Sequence, residues 1–173
     1  QQQFVAALLG ALTPEDRVNL AACDVECQWA FAEPRSGDAD NVAAARQRLA
    51  DRVSLGWTDL DQAFASALAQ ATPQTHVIYI GDGVVTAGNA DPVAFGKRLQ
   101  RMAEGRAGTF HAVSVSSSFE PLTLKTIASL GGGSLRQISG ERTPQQVARE
   151  LLAELTQPVI RDLRVEFRGV RVA

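Results

Sequence analysis

The run His76-Val77-Ile78-Tyr79-Ile80 is apolar on both parities and stops abruptly at Gly81-Asp82-Gly83. A strand with water on one face alternates apolar and polar residues, whereas a parallel strand covered by helices on both faces has no polar side to show. The spacing around it agrees. A helix starts at Thr58, where Thr58-Asp59-Leu60-Asp61 has the capping-box spacing, and Pro73 marks its end; Asp91-Pro92 opens another over Val93 to Glu104 with a cap and a proline at the first helical position.

The same punctuation recurs along the chain. Gln2 to Leu12 reads as a helix ended by Thr13-Pro14, Val18 to Phe31 as one alternating strand, and Val42 to Val53 as a helix capped by Asn41. Further on, Thr109 to Val115 is a strand and Glu120-Pro121 opens a helix through Leu130. Gly131-Gly132-Gly133 then leads to a short strand near Ser134 to Ile138, and Thr143-Pro144 begins the last helix, to about Leu155. Strand and helix in alternation imply an α/β architecture, a doubly wound and mostly parallel open sheet with helices on both faces. Pro158 stops the last helix, and "DLRVEFRGVRV" alternates as a separate strand. The division is therefore one domain over 1–157 and the start of a β-rich segment over 158–173.

Length and charge narrow the function. A chain of 173 residues, 45% hydrophobic, has room for one well-buried domain. Seventeen basic against 19 acidic residues, a net charge of −2, give no general pull toward nucleic acid or an anionic membrane. The Lys97, Arg98 and Arg101 cluster fits the exposed face of a helix. No apolar stretch reaches the ~18 residues of a membrane span. Gln1-Gln2-Gln3 leads straight into a helical pattern and the sole methionine is Met102, so the chain reads as a piece of something longer.

Cys23 and Cys27 fall on one face of the expected Val18 to Phe31 strand. Four residues along a strand cover ~13 Å, beyond the ~7 Å Cα separation a disulfide tolerates, so they are expected not to pair and to act as small core hydrophobes. His76 and His111 lie in strand-like runs and read as packed or edge histidines.

Sites in open α/β sheets lie outside the carboxyl ends of the strands. Asp82 follows the central strand directly, between glycines that allow close approach. A crossover helix runs antiparallel to its strands, so the helix starting at Thr58 begins at the same edge. A hydroxyl and a carboxylate are hard oxygen donors suited to Mg²⁺. Two donors are too few for a site, and the same residues also read as a helix cap and a turn residue. Asp59 and Asp61 are helix-start carboxylates, and Asp38 and Asp40 belong to a solvated loop.

"LGWTDLDQAFASAL" followed by "HVIYIGDG" resembles the von Willebrand factor A domain, whose metal-ion-dependent adhesion site combines Asp-x-Ser-x-Ser, a Thr and an Asp. "GALTPEDRVNLAACDVE", "TLKTIASLGGGSL" and "PVIRDLRVEF" are similar to the inter-alpha-trypsin inhibitor heavy-chain type in its bacterial relatives, and the resemblance covers about residues 3 to 167. It implies that Thr58 and Asp82 are metal ligands, that the ion is Mg²⁺ (or Mn²⁺ or Ca²⁺), and that the partner is a protein offering an acidic side chain. It also implies an extracytoplasmic setting. Gly81 departs from the common Thr-Asp-Gly, and no Asp-x-Ser-x-Ser occurs; "SVSSS" at 114–118 follows the wrong strand. In the family that motif ends the first, central strand, so the chain is expected to start one strand late, leaving the Val18 to Phe31 and Val77 to Ile80 strands facing a gap and the isolated piece unstable.

The expected function is thus a non-catalytic adhesion-type binding domain whose metal site is incomplete here. A scaffold that binds without metal is the alternative. A nucleotide-dependent or hydrolytic enzyme has little support: Gly81-x-Gly83 lacks the third glycine of a dinucleotide fingerprint, and there is neither a G-K-S/T phosphate loop nor a G-x-S-x-G elbow.

Overall fold

The structure, a computed structural model, describes residues 1–52, 56–105, 108–138, 140, 142–157 and 164. Its centre is a parallel sheet in the order β5-β6-β7, formed by β5 (His76–Ile80), β6 (Thr109–Ser114) and β7 (Leu135–Gln137). The register sets His76 beside Thr109 and Ile80 beside Val113, then Ala112 beside Leu135 and Ser114 beside Gln137. β6, paired on both sides, is buried at every residue; β5 is paired on one side only among the described residues and is half-buried throughout.

Alternate residues of β6 feed two cores. Phe110 and Ala112 face α3 (Leu60–Gln70), α4 (Pro92–Ala103) and α5 (Pro121–Ser129), where Leu60, Phe64, Phe95, Leu99, Leu124 and Ile127 are buried. Val113 faces α1 (Gln2–Leu9) and α6 (Pro144–Leu155), with Phe4, Val147 and Leu151. Burying apolar surface on both faces is why these strands tolerate no alternation. A third cluster joins α1 to α2 (Ala39–Ala50) through Val5, Leu9, Val42, Ala45 and Phe31. The α/β architecture with helices on both faces of a parallel sheet is as the sequence pattern implies.

Helix starts follow their capping chemistry, with shifts from the sequence expectation. α2 begins three residues earlier than Val42, because Asp38 and not Asn41 is the cap, its carboxylate accepting the Asn41 N–H at 2.9 Å. That bond, first, and the Ser36 hydroxyl hold the Asp38 carboxyl below its ordinary range, so Asp38 is a structural group rather than a loop charge. α3 begins one turn position late, with Asp59 as its cap accepting from Gln62 N–H at 3.1 Å. α6 carries a full capping box between Thr143 and Gln146.

The largest correction falls on 18–31. The single expected strand is a hairpin, β2 (Ala21–Cys23) against β3 (Cys27–Trp29), while Arg17–Val18 pairs as β1 with β4 (Arg35–Ser36). Period-two alternation continues through a tight turn, so the pattern could not show that the chain reverses at Asp24-Val25-Glu26. The reversal sets Cys23 opposite Cys27 with Cα atoms 4.1 Å apart, and the two form a disulfide. The expected strand at 162–172 and the end of the helix at Val53 lie outside the described residues.

Candidate functional site

β5 delivers Asp82 to the carboxyl edge of the sheet. Gly81 N–H extends the ladder by bonding Val113 O at 3.1 Å, and the Asp82 carbonyl then accepts Glu120 N–H at 2.7 Å, tying this loop to the start of α5. Asp82 Oδ1 accepts Val84 N–H at 3.0 Å, an Asx turn two residues long. Gly83 has φ +75°, and a side chain there would press on Leu124 and the Glu120 carbonyl at 3.1–3.2 Å. The positive φ favours glycine here, and a side chain would also need Leu124 and the Glu120 carbonyl to give by a few tenths of an ångström.

Beneath the loop lies Tyr79, whose hydroxyl accepts Gly83 N–H at 3.3 Å. Burial, foremost, and the nearby Asp82 charge raise its pKa to about 12, so the phenol stays neutral. With the phenol neutral, the charge at this point of the edge is that of the Asp82 carboxylate.

Thr58 comes to the same edge by backbone bonding. Its N–H donates to Thr86 Oγ1 at 2.7 Å, and its carbonyl accepts the N–H groups of Thr86 and Ala87 at 3.1 and 3.0 Å, four and five residues beyond Asp82. Since Asp59 performs the capping, the Thr58 side chain is not consumed there; among the described residues nothing hydrogen-bonds to its hydroxyl. The turn reading of Asp82 holds for one carboxylate oxygen. The start of α3 is thus bonded to the loop that follows β5, at residues 86 and 87.

Sequence reasoning missed a third contributor. Asp59 N–H donates to the Asp24 carbonyl at 3.0 Å, so the disulfide-closed turn rests on the first residue after Thr58. Asp24 itself is 6% exposed and its carboxylate pairs with Arg52 at 2.8 Å. Its signal was the C-x₃-C bracket, which marks a hairpin turn once a disulfide is admitted.

Does this edge fit a divalent ion? The donors are hard oxygens, as Mg²⁺ demands, but among the described residues no three His, Cys, Asp or Glu side chains converge to hold a metal. The chemistry fits and the donor number falls short.

A second polar cluster lies toward the amino ends of the strands. Ser134 N–H donates to His111 Nδ1 at 3.3 Å; a backbone N–H can only donate, so neutral His111 carries its proton on Nε2, aimed at His76 Nδ1 3.2 Å away. The Ser134 hydroxyl donates to Glu154 Oε2 at 3.1 Å, and Arg136 bridges Glu150 and Glu154. Burial chiefly depresses the His111 pKa to about 4. Apart from Arg136 Nε the cluster bonds among its own members, and it makes His111 the packed histidine its strand position suggests.

Comparison with known proteins places this geometry. The family model described as von Willebrand factor type A domain matches residues 1–137. A search of curated proteins gives no significant match. Among solved structures, a von Willebrand factor type A structure from Catenulispora acidiphila superposes with a TM-score of 0.69 at 19% identity, covering 89% of this chain and 36% of its own. An aerotolerance-related membrane protein from Bacteroides fragilis, with multiple mutations to serines, gives 0.63 at 14% identity, covering 89% and 85%. Proximal thread matrix protein 1 from the mussel byssus, with a zinc-occupied metal-ion-dependent adhesion site, gives 0.60 at 18% identity, covering 87% and 41%. At such identities the likeness is one of fold, and this chain spans little more than a third of the Catenulispora structure.

Proposed function

The chain belongs to the von Willebrand factor type A domain family, and from that premise we propose that it is a non-catalytic protein-binding domain in which Asp82 and Thr58 contribute to a divalent-cation site. The observation that carries this reading is their placement: a carboxylate with one oxygen outside its Asx turn and an uncommitted hydroxyl, on segments bonded to each other at the carboxyl edge of the sheet. The zinc-occupied site of the mussel protein supports metal use within this fold.

Two side-chain oxygens leave Mg²⁺, Mn²⁺ or Ca²⁺ far short of the ~6 donors these ions take. Among the described residues the donor set is short of that number, and the remaining oxygens would come from water and from an acidic side chain of the partner. When bound, the ion would supply concentrated positive charge that a partner carboxylate can match. Thr58 and Asp82 would hold it, and Gly83 keeps the approach open.

The Cys23–Cys27 disulfide favours an oxidising, extracytoplasmic compartment, since such bonds are rare where thiols are kept reduced. No helix among the described residues is long and apolar enough to cross a membrane.

Calorimetric titration with Mg²⁺ and Mn²⁺ tests the reading, comparing this chain with one carrying additional upstream sequence. The expected result is weak or no binding here, tight binding in the longer chain, and loss of that binding in Asp82→Ala. Metal-independent partner capture that survives both excess EDTA and Asp82→Ala would instead establish the scaffold reading, in which Asp82 serves only its turn.

A further inference from the structure

The large hydrophobic side chains that the described residues leave exposed are Val25, Trp57, Val84, Val93 and Leu122, and all of them fall at the carboxyl edge of the sheet. Their neighbours fix this. Val25 is the tip of the turn whose Asp24 carbonyl accepts Asp59 N–H, Trp57 precedes Thr58, and Val84 closes the Asx turn of Asp82. Val93 is in the first turn of α4, and Leu122 follows Glu120, whose N–H bonds the Asp82 carbonyl. Singly exposed apolar residues are ordinary, but their confinement to one edge, with Trp57 at 58% exposure, marks an interaction surface.

The charges on that edge specify what fits. Asp24 is neutralised by Arg52 and Asp61 by Arg98, but Glu26, Asp59, Asp82, Asp91 and Glu120 have no basic partner among the described residues. Three of these are helix caps, so they cannot move away from the surface they decorate. A partner carrying several acids would be repelled by this rim, whatever single carboxylate an ion at Asp82 accepted.

We propose that the carboxyl edge docks a protein segment that is apolar at its centre and basic at its flanks, with Trp57 as the principal anchor and Val84 and Leu122 on the same edge. Tryptophan suits this role because it brings a large apolar area at little cost in side-chain freedom. The proposal rests on the reading that partners dock at this edge, and it adds their chemistry without requiring the ion.

The test is fluorescence anisotropy in excess EDTA with a labelled synthetic peptide of leucines flanked by lysines, against a counterpart with glutamates in place of the lysines. The lysine peptide should bind saturably and weaken as salt rises, and the glutamate peptide should not bind. Trp57→Ser should weaken the lysine peptide by about tenfold or more, with an unchanged thermal midpoint because the residue is exposed. Equal binding of the two peptides, no binding of either, or an unchanged affinity in Trp57→Ser would overturn the proposal. The Mg²⁺ titration is read separately: cation binding without peptide binding sinks this inference alone, and peptide binding in EDTA with no cation response in the longer chain sinks only the metal reading.

Discussion

The two ends of the β5-β6-β7 sheet handle polarity in opposite ways. Toward the amino ends, His76, His111, Ser134, Glu154 and Arg136 bond one another, and the buried side-chain polar atom left without a partner among the described residues is Arg136 Nε. At the carboxyl edge, backbone groups are bonded with equal care, but the side chains of Thr58 and Asp82 retain bonding capacity and apolar groups stand in water. Buried polar groups must find partners within the protein, whereas capacity kept at a solvent edge costs little and remains usable by a ligand. The first end is largely closed on itself, and the second keeps bonding capacity and apolar surface open to solvent.

On this contrast, acid should attack the amino end first. His111 is held near 4 against an ordinary 6.5, chiefly by burial, so its neutral form favours the fold. Its contribution is complete above about pH 6.5, where both states are neutral, and is lost as pH falls toward 4, because the unfolded chain takes the proton first. Linkage makes that loss on the order of 3 kcal/mol. Glu154 acts in the same direction but lower down, its contribution being lost only as pH falls below its ordinary 4.5: burial opposes its ionisation, but hydrogen bonds from Arg136 and Ser134 outweigh this and keep its carboxyl low. Urea midpoints measured between pH 7 and 4 should fall, and His111→Gln should flatten that fall while lowering stability at pH 7. An unchanged slope in the variant would place the acid sensitivity elsewhere.

Reduction should act at the other end. The disulfide closes a very short loop, for which chain entropy gives a stabilisation of about 2 kcal/mol. Cys23→Ser with Cys27→Ser should lower the urea midpoint accordingly. Because the Asp24 carbonyl holds Asp59 N–H beside Thr58, reduction should also loosen the start of α3, visible as faster amide exchange at Asp59 and Thr86. Loss of stability with no change in exchange at those amides would show the turn to be a mere staple.

The finest test uses the only tyrosine in the chain, Tyr79. Burial sets most of its elevation to about 12, and the Asp82 charge adds to it. Asp82→Asn should lower the pKa read from tyrosinate absorbance, and a cation held at Asp82 in the longer chain should lower it in the same sense. An identical titration curve in wild type and Asp82→Asn would mean that the carboxylate is electrically remote from the phenol and that the edge is less negative than argued.

Much of the fold was legible because burial writes itself into short windows. HVIYI and TFHAVS lack polar alternation since helices cover both faces, and Asp91-Pro92, Glu120-Pro121 and Thr143-Pro144 mark helix starts by chemistry local to three or four residues. That the Thr58 segment lies at the edge where β5 ends was also available, because a crossover helix runs antiparallel to its strands; the structure bonds Thr58 to Thr86 and Ala87. What failed was the stretch from Val18 to Phe31, where a tight reversal leaves alternation intact. Whether Cys23 and Cys27 stand ~13 Å apart or face each other depends on that one turn, so a single mistake in connectivity inverted the reading of both.

The order of elements, the two-faced burial of the parallel strands and the acidic residue at the tip of β5 follow from residue type and spacing, which are local quantities. The disulfide, the seat of the hairpin turn on the start of α3, the release of the Thr58 hydroxyl from capping and the gathering of Trp57, Val84 and Leu122 on one edge required the chain to be folded. Each is a juxtaposition of residues distant in sequence or on opposite arms of a turn, and such meetings are set by packing free energy summed over the whole core, to which no short window has access.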